Sequence, residues 1–231
     1  MIVSHTHGFI FICNGKTGTS SIETVLAPYQ EGEEFEVGVK GLYTPKHVPP
    51  STLKAQLGPD IWEEYFTFAF VRNPWDWFVS QYFWNWRVPQ LSKWKLLKSP
   101  VKTLNEYWQE KKEKRRRREV ETFSPADIHE TYDLLRRYRG VHQADSLFQY
   151  NYVYSPDGEK LVDFVGRFEQ IEDDFSQAMS LVGLDAQLPH RNATDDRDHY
   201  ESYYEPETVA LISNLYQVDV DAFDYSPPEL Q

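Results

Sequence analysis

The chain has 231 residues, enough for one domain with a sizeable core, and its net charge of −12 argues against wholesale binding to nucleic acids or sulfated polymers. The single cysteine, Cys13, excludes an internal disulfide. The longest apolar runs are far too short for a membrane span or a signal peptide.

The predicted elements alternate between strand and helix along the chain. They are strand 8–13, helix 19–27, strand 36–41, helix 50–57, strand 66–71, helix 74–86, a helical insert (102–120 and 126–138), a strand pair at 146–154 and 160–167, helix 170–182 and helix 206–216. This order predicts an α/β, P-loop-like three-layer fold with a central parallel sheet flanked by helices. We expect a single domain over 1–231, with the helical insert at about 87–140.

The first predicted strand runs into a short loop rich in Gly and Thr. Phe9–Cys13 is continuously apolar, the loop contains Asn14 to Ser21, and helical character resumes at Ile22–Leu26. Unpaired N–H groups and the macrodipole make a helix N-terminus a favourable place for an anion. Lys16 adds a point charge on a flexible stem, so the segment predicts binding of a phosphate-like group.

This loop does not fit the signature of nucleoside triphosphatases, G-x-x-x-x-G-K followed by Ser or Thr. The first glycine of that pattern would fall at Ile10, in the middle of the strand. Those enzymes also hold Mg²⁺ with an acid at the end of another strand, whereas the next strong strand, 66–71, ends in Arg72-Asn73-Pro74.

The second strand end carries its own candidates. Arg72 directly follows the apolar strand, Pro74 suits the first turn of a helix, and Ser80 lies two turns into that helix. The planar guanidinium of Arg72 and the hydroxyl of Ser80 could both donate hydrogen bonds to one anion. The alternative is that Arg72 is a structural salt-bridge partner and Ser80 an ordinary helix residue.

Together the K-T-G-T-S loop and the R-N-P-x-D-x-x-x-S segment resemble the sulfotransferases that use 3′-phosphoadenosine 5′-phosphosulfate (PAPS). The resemblance implies that the first loop binds the 5′-phosphosulfate and that Arg72 and Ser80 bind the 3′-phosphate. The residues of the first loop that it implies are Gly15, Lys16, Thr17, Gly18, Thr19 and Ser20. Lys16 would also be catalytic, stabilising the bridging oxygen as the leaving group departs.

Later segments are similar to the carbohydrate branch of that superfamily, sulfotransferase family 2. The "RFE…DF" segment at 167–175 and the "PHxN" loop at 189–192 match its pattern, and Trp77 stands where related proteins often carry arginine. The resemblance implies cofactor contacts for Phe168, His190, Arg191 and Asn192. Core packing for Phe168, and simple loop structure for the other three, remain the alternatives.

The acceptor needs a base, and His47 is the best candidate. It lies in a Pro-rich loop upstream of Arg72, where soluble sulfotransferases have a similar K-x-H-x-P element. Its unperturbed pKa of about 6.5 suits proton transfer near neutral pH. If His47 is an ordinary surface histidine, the base would instead be Glu169 or a carboxylate within 31–36.

No metal site is expected, because His5 and His7 have no Cys or acidic partner at ligand spacing.

The acceptor itself is expected to be a carbohydrate, glycolipid or other hydroxyl-bearing molecule. The basic run Lys111–Arg118 is either a solvated helical arm or a contact for an anionic acceptor, a membrane surface or a partner. Trp84, Trp86 and Trp94 belong either to the core or to an acceptor-stacking surface.

We expect a cytoplasmic protein. Two other functions remain open: a P-loop kinase that needs Mg²⁺ and ATP, and a non-enzymatic polyanion-binding module.

Overall fold

A computed structural model describes residues 1–31, 47–87, 120–142, 147–188 and 199–230. Within these ranges the chain forms four strands and eight α-helices. The strands are β1 (Ile2–Ser4), β2 (Phe9–Ile12), β3 (Phe66–Val71) and β4 (Phe164–Arg167). The helices are α1 (Thr19–Leu26), α2 (Pro50–Leu57), α3 (Pro59–Glu64), α4 (Pro74–Arg87), α5 (Pro125–His142), α6 (Ile171–Leu181), α7 (Pro206–Leu215) and α8 (Gln217–Ala222).

The strands form one mixed sheet in the order β1-β2-β3-β4. β2, β3 and β4 are parallel, with Phe11 opposite Phe68 and Phe70 opposite Gly166. β1 was not predicted, and it pairs antiparallel with β2 at the edge of the sheet. Because the parallel strands are adjacent, the residues that follow β2, β3 and β4 all emerge at the same edge.

The core lies on both faces of the sheet, as expected for a three-layer α/β fold. Successive side chains of a strand point to opposite faces. Phe9, Phe11, Phe68 and Phe70 therefore pack in one buried cluster, with residues of α1 and α6. Ile10, Ile12, Ala69 and Val71 pack in the other, with residues of α4 and α7. The continuous apolar runs of β2 and β3 are thus explained by burial on both sides.

Most predicted elements in the described ranges are confirmed within one or two residues, with α5 extending farther past its predicted end. The strand predicted at 160–167 begins only at Phe164, as β4, and the short helices α3 and α8 were not predicted. The strand at 146–154 is wrong: Gln149–Tyr152 forms a 3₁₀ turn, and Tyr154 and Lys160 form an isolated bridge. The backbone N–H groups of Gln149 and Tyr150 donate to the Asp219 carboxylate, and so bond to α8 and not to a strand. The predicted strand at 36–41 and helix at 102–120 lie outside the described residues. The single-domain organisation with its insert stays a prediction.

No helix in the described part of the chain is both long and apolar enough to cross a membrane.

Gly166 of β4 packs against the Phe70 ring of β3, and this contact generates a stability prediction. A Cβ built at this position would lie 2.7 Å from Cδ1 and 2.8 Å from Cζ of the Phe70 ring, which is itself fully buried. We expect Gly166→Ala to lower the free energy of unfolding by about 1–3 kcal/mol through overpacking, measured by urea denaturation.

Phe70→Leu provides the matched test, because it removes the ring that the new methyl group meets. The double variant Gly166→Ala/Phe70→Leu should lose less stability than the sum of the two single variants. Strict additivity would contradict the close approach.

Candidate active site

The first loop, residues 13–18, connects β2 to α1 through two left-handed residues. Lys16 has φ 70° and Gly18 has φ 78°. The positive φ favours glycine at position 18, and a Cβ there would also displace the Ile171 side chain. α1 begins at Thr19, with Gly18 as its N-cap, and has no side-chain cap hydrogen bond. The loop therefore has the features of an anion cradle.

Two buried threonines fix the shape of the first loop. The hydroxyls of Thr17 and Thr19 both donate to the Asn14 carbonyl oxygen, Thr17 at 2.9 Å. Any ligand contact from these two predicted site residues would therefore come from their backbone N–H groups. Ser20, by contrast, is exposed in the first turn of α1.

Trp77 holds the same loop from the side of α4. Its indole Nε1–H donates to the Gly15 carbonyl oxygen at 2.8 Å, and the side chain is fully buried. The residue that departs from the family pattern thus anchors the loop backbone directly.

Arg72 lies at the end of β3 and uses its guanidinium to join three features. Nε and Nη2 donate to the two carboxylate oxygens of Asp76 at 2.7 and 2.6 Å. Nη1 donates to the Lys16 carbonyl oxygen at 3.1 Å, and the guanidinium carbon lies 3.9 Å from the centre of the Phe168 ring. The structural salt bridge raised as an alternative for Arg72 is therefore present. It leaves two of the five guanidinium N–H groups without a partner among the described residues.

Helix α4 begins at Pro74, two residues after Arg72, and Asn73 caps it. The Asn73 side-chain oxygen accepts the Trp75 N–H at 3.0 Å, and Pro74 occupies the first helical position. Ser80 is 2% exposed on this helix and makes no hydrogen bond to Arg72. Its predicted share in binding the 3′-phosphate stays a prediction.

Gln149 joins the two strand ends, and the sequence reasoning missed it. Its Oε1 accepts the Arg72 N–H at 2.9 Å and the Asn14 side-chain N–H at 3.3 Å. Its Nε2 donates to the Arg72 carbonyl oxygen at 2.7 Å, and Asn14 also donates to the Phe70 carbonyl oxygen at 3.0 Å. The first loop and the R-N-P motif are therefore parts of one hydrogen-bonded unit. Because residue 149 was predicted to lie in a strand, the sequence did not indicate that Gln149 belongs to the site.

Comparison with known proteins gives this unit a family. A model described as the sulfotransferase family matches residues 1–226. The chain belongs to sulfotransferase family 2. Its general chemistry is accordingly sulfuryl transfer. Searches of curated proteins and of solved structures found no match.

His47 of the sulfotransferase lies against the first loop. Its Nδ1 is 2.9 Å from the Cys13 carbonyl oxygen, and because a carbonyl can only accept, Nδ1 carries the proton and donates it. In the neutral ring the basic lone pair is then on Nε2, as a general base requires. The structure thus brings His47 to the loop that contains Lys16, although they are 31 positions apart in the sequence.

The fallback bases have structural partners. Glu169 accepts the Asn73 N–H at 2.6 Å and the Tyr225 hydroxyl at 3.0 Å. Hydrogen bonds from Thr6 and Ser4 lower the pKa of Glu31 to about 2, which makes it a weak base. Both carboxylates accept hydrogen bonds from neighbouring segments of the sulfotransferase. We therefore keep His47 as the candidate base. Residues 32–36 lie outside the described ranges.

Cys13, at the start of the first loop, is a buried neutral thiol. Burial raises its pKa to about 12, and Sγ donates to Glu23 at 3.3 Å. Cys13 is 1% exposed and directly follows β2.

Several predicted contacts lie outside the described residues of the sulfotransferase: His190, Arg191, Asn192, the run Lys111–Arg118, Trp94 and the side chain of Trp86. No three His, Cys, Asp or Glu side chains in the described ranges group as metal ligands.

The Gln149 bridge generates a second stability prediction. Gln149→Ala would leave the Arg72 N–H and carbonyl unpaired in a buried place, so we expect the free energy of unfolding to fall by about 1–3 kcal/mol. Gln217→Ala is the matched control, because that exposed side chain donates only to Asp221 within the described structure. Equal, small effects of the two variants in urea denaturation would contradict the bridging role.

Proposed function

We propose that the protein transfers a sulfuryl group from PAPS to a hydroxyl group, on a carbohydrate or glycolipid. One observation carries this proposal: the Arg72 guanidinium donates to the Lys16 carbonyl oxygen at 3.1 Å. The two anion-binding motifs of the sequence are therefore neighbours at one edge of the sheet. A donor with phosphate groups at both ends of an adenosine needs this arrangement.

The residues present fit such a donor. The first N–H groups of α1 and the ammonium of Lys16 suit the phosphosulfate end. The two remaining N–H groups of Arg72 suit a second phosphate, and Asp76 holds the guanidinium in a fixed orientation for it. Phe168 covers the face of that guanidinium, and a contact of its ring with adenine stays a prediction.

The chemistry assigns distinct tasks to the residues. Bound PAPS supplies an activated sulfuryl group whose departure leaves negative charge on a phosphate oxygen. Lys16 stabilises that developing charge, and the N-terminus of α1 stabilises the non-bridging oxygens. His47 accepts the proton of the acceptor hydroxyl on Nε2, while its Nδ1–H stays fixed on the Cys13 carbonyl. Catalysis by position and fixed charge suits an in-line displacement of this kind.

The acceptor class and the location complete the proposal. A carbohydrate or glycolipid acceptor follows from the likeness to family 2, and a basic contact through Lys111–Arg118 would suit an anionic acceptor. Cytoplasmic location likewise stays a prediction.

Ligand-dependent thermal stability separates the three candidate functions. We expect 3′-phosphoadenosine 5′-phosphate (PAP) to raise the melting temperature without Mg²⁺, because it retains both phosphate ends, and ATP to raise it little. Preference for ATP with Mg²⁺ would indicate a kinase. Stabilisation by polyanions alone would indicate a binding module.

The role of Arg72 is tested by comparing PAP with adenosine 5′-phosphate, which differs only in lacking the 3′-phosphate. The wild-type protein should bind PAP about tenfold or more tightly than adenosine 5′-phosphate, since hydrogen bonds to charged groups contribute ~1.5–3 kcal/mol. Arg72→Ala should remove this preference, as measured by calorimetry. A preference that survives the substitution would place the 3′-phosphate elsewhere.

His47→Ala should lower turnover ~10²-fold or more, as expected on loss of a general base, and leave PAP affinity nearly unchanged. Turnover is measured as PAP released from PAPS with the best acceptor from a panel of saccharides. His129→Ala, on the exposed face of α5, is the matched control. Near-normal turnover of His47→Ala would assign the base to another residue.

A further inference from the structure

One face of α4 lies along the first loop. Trp77, Ser80 and Trp84 follow a spacing of i, i+3 and i+7, which places them on the same side of a helix. Trp77 donates to the Gly15 carbonyl oxygen, and the Lys16 ammonium lies 4.4 Å from the centre of the Trp84 ring. The helix thus contacts the loop at its backbone and again at its lysine.

Trp84 differs from the other residues of this face in its exposure. Trp77 is fully buried and Ser80 is 2% exposed, whereas Trp84 is 49% exposed. Leu181 and Val218 are the other large apolar side chains exposed in the described ranges, and they lie on α6 and α8. The exposed indole of Trp84 is therefore beside the lysine to which the proposed function gives the leaving-group role.

The backbone of Lys16 supplies an independent observation. Its φ of 70° is left-handed, and non-glycine residues seldom adopt this region. Asp224 is the other non-glycine residue with positive φ in the described part of the chain. The Lys16 side chain therefore extends from a backbone in a constrained conformation, and its ammonium lies over the Trp84 ring.

We propose that Trp84 is a positioning residue that holds the Lys16 ammonium at the anion cradle by a cation–π contact. The indole covers one side of the ammonium and orders the side chain, which carries a positive charge suited to an anion. Ordering before the ligand arrives reduces the conformational entropy that binding would otherwise cost. This role rests on the proposed function only in the identity of the anion.

A double-mutant cycle with PAP as the probe tests the contact. Trp84→Leu keeps an apolar side chain but removes the aromatic face, so we expect PAP to bind about two- to fivefold more weakly. The same substitution in a Lys16→Met background should have no further effect, because the cation is already absent. Equal losses in both backgrounds, or no loss with Lys16 present, would overturn the proposal.

Tryptophan fluorescence of the ligand-free protein gives a second readout that does not depend on the proposed function. A nearby ammonium perturbs indole emission, so Lys16→Met should change the emission spectrum of the wild-type protein. The change should disappear in a Trp84→Phe background, although six of the seven tryptophans remain. A change of the same size in both backgrounds would overturn the proposal. Failure of PAP to bind the wild-type protein would contradict the proposed function and leave this measurement decisive for Trp84.

Discussion

The side-chain amide of Gln149 is the interaction on which the candidate site depends. It pairs with both backbone groups of Arg72 at the end of β3 and with the Asn14 side chain at the end of β2. Neighbouring parallel strands diverge where their hydrogen-bond ladder stops, and buried polar groups there need partners. One amide satisfies three of them. The first loop and the R-N-P motif consequently keep a fixed separation, which a ligand spanning both requires.

The electrostatics of the site are local. The protein has a net charge of −12, so its overall field does not attract the proposed donor, which carries several negative charges. Attraction has to come from the helix N-terminus at the first loop, from Lys16 and from the oriented N–H groups of Arg72. Asp76 neutralises the nearly buried Arg72 and lowers the cost of keeping a cation there before a ligand binds. Anion binding would therefore depend more on where these donor groups lie and how they are oriented than on the total positive charge of the protein.

The sequence predicted the parts of the fold that local patterns specify. The apolar runs of β2 and β3, the loop between β2 and α1, and the start of α4 at Pro74 were all placed within a residue or two. Gln149 could not be found in this way, because its conformation depends on Asp219, 70 positions later in the chain. The short edge strand β1 has only three residues and gives almost no periodic signal. Asp76 was visible within the second motif, but its pairing with Arg72 needed coordinates to be recognised.

Asp219 also has a consequence for the order in which the protein matures during synthesis. This fully buried carboxylate on α8 receives the N–H groups of Gln149 and Tyr150 and so sets the turn that carries the bridging amide. The strands that bear the two motifs leave the ribosome long before α8 does. A nascent chain can therefore pair β2 with β3 early, yet it completes the candidate site only after α8 has been synthesised.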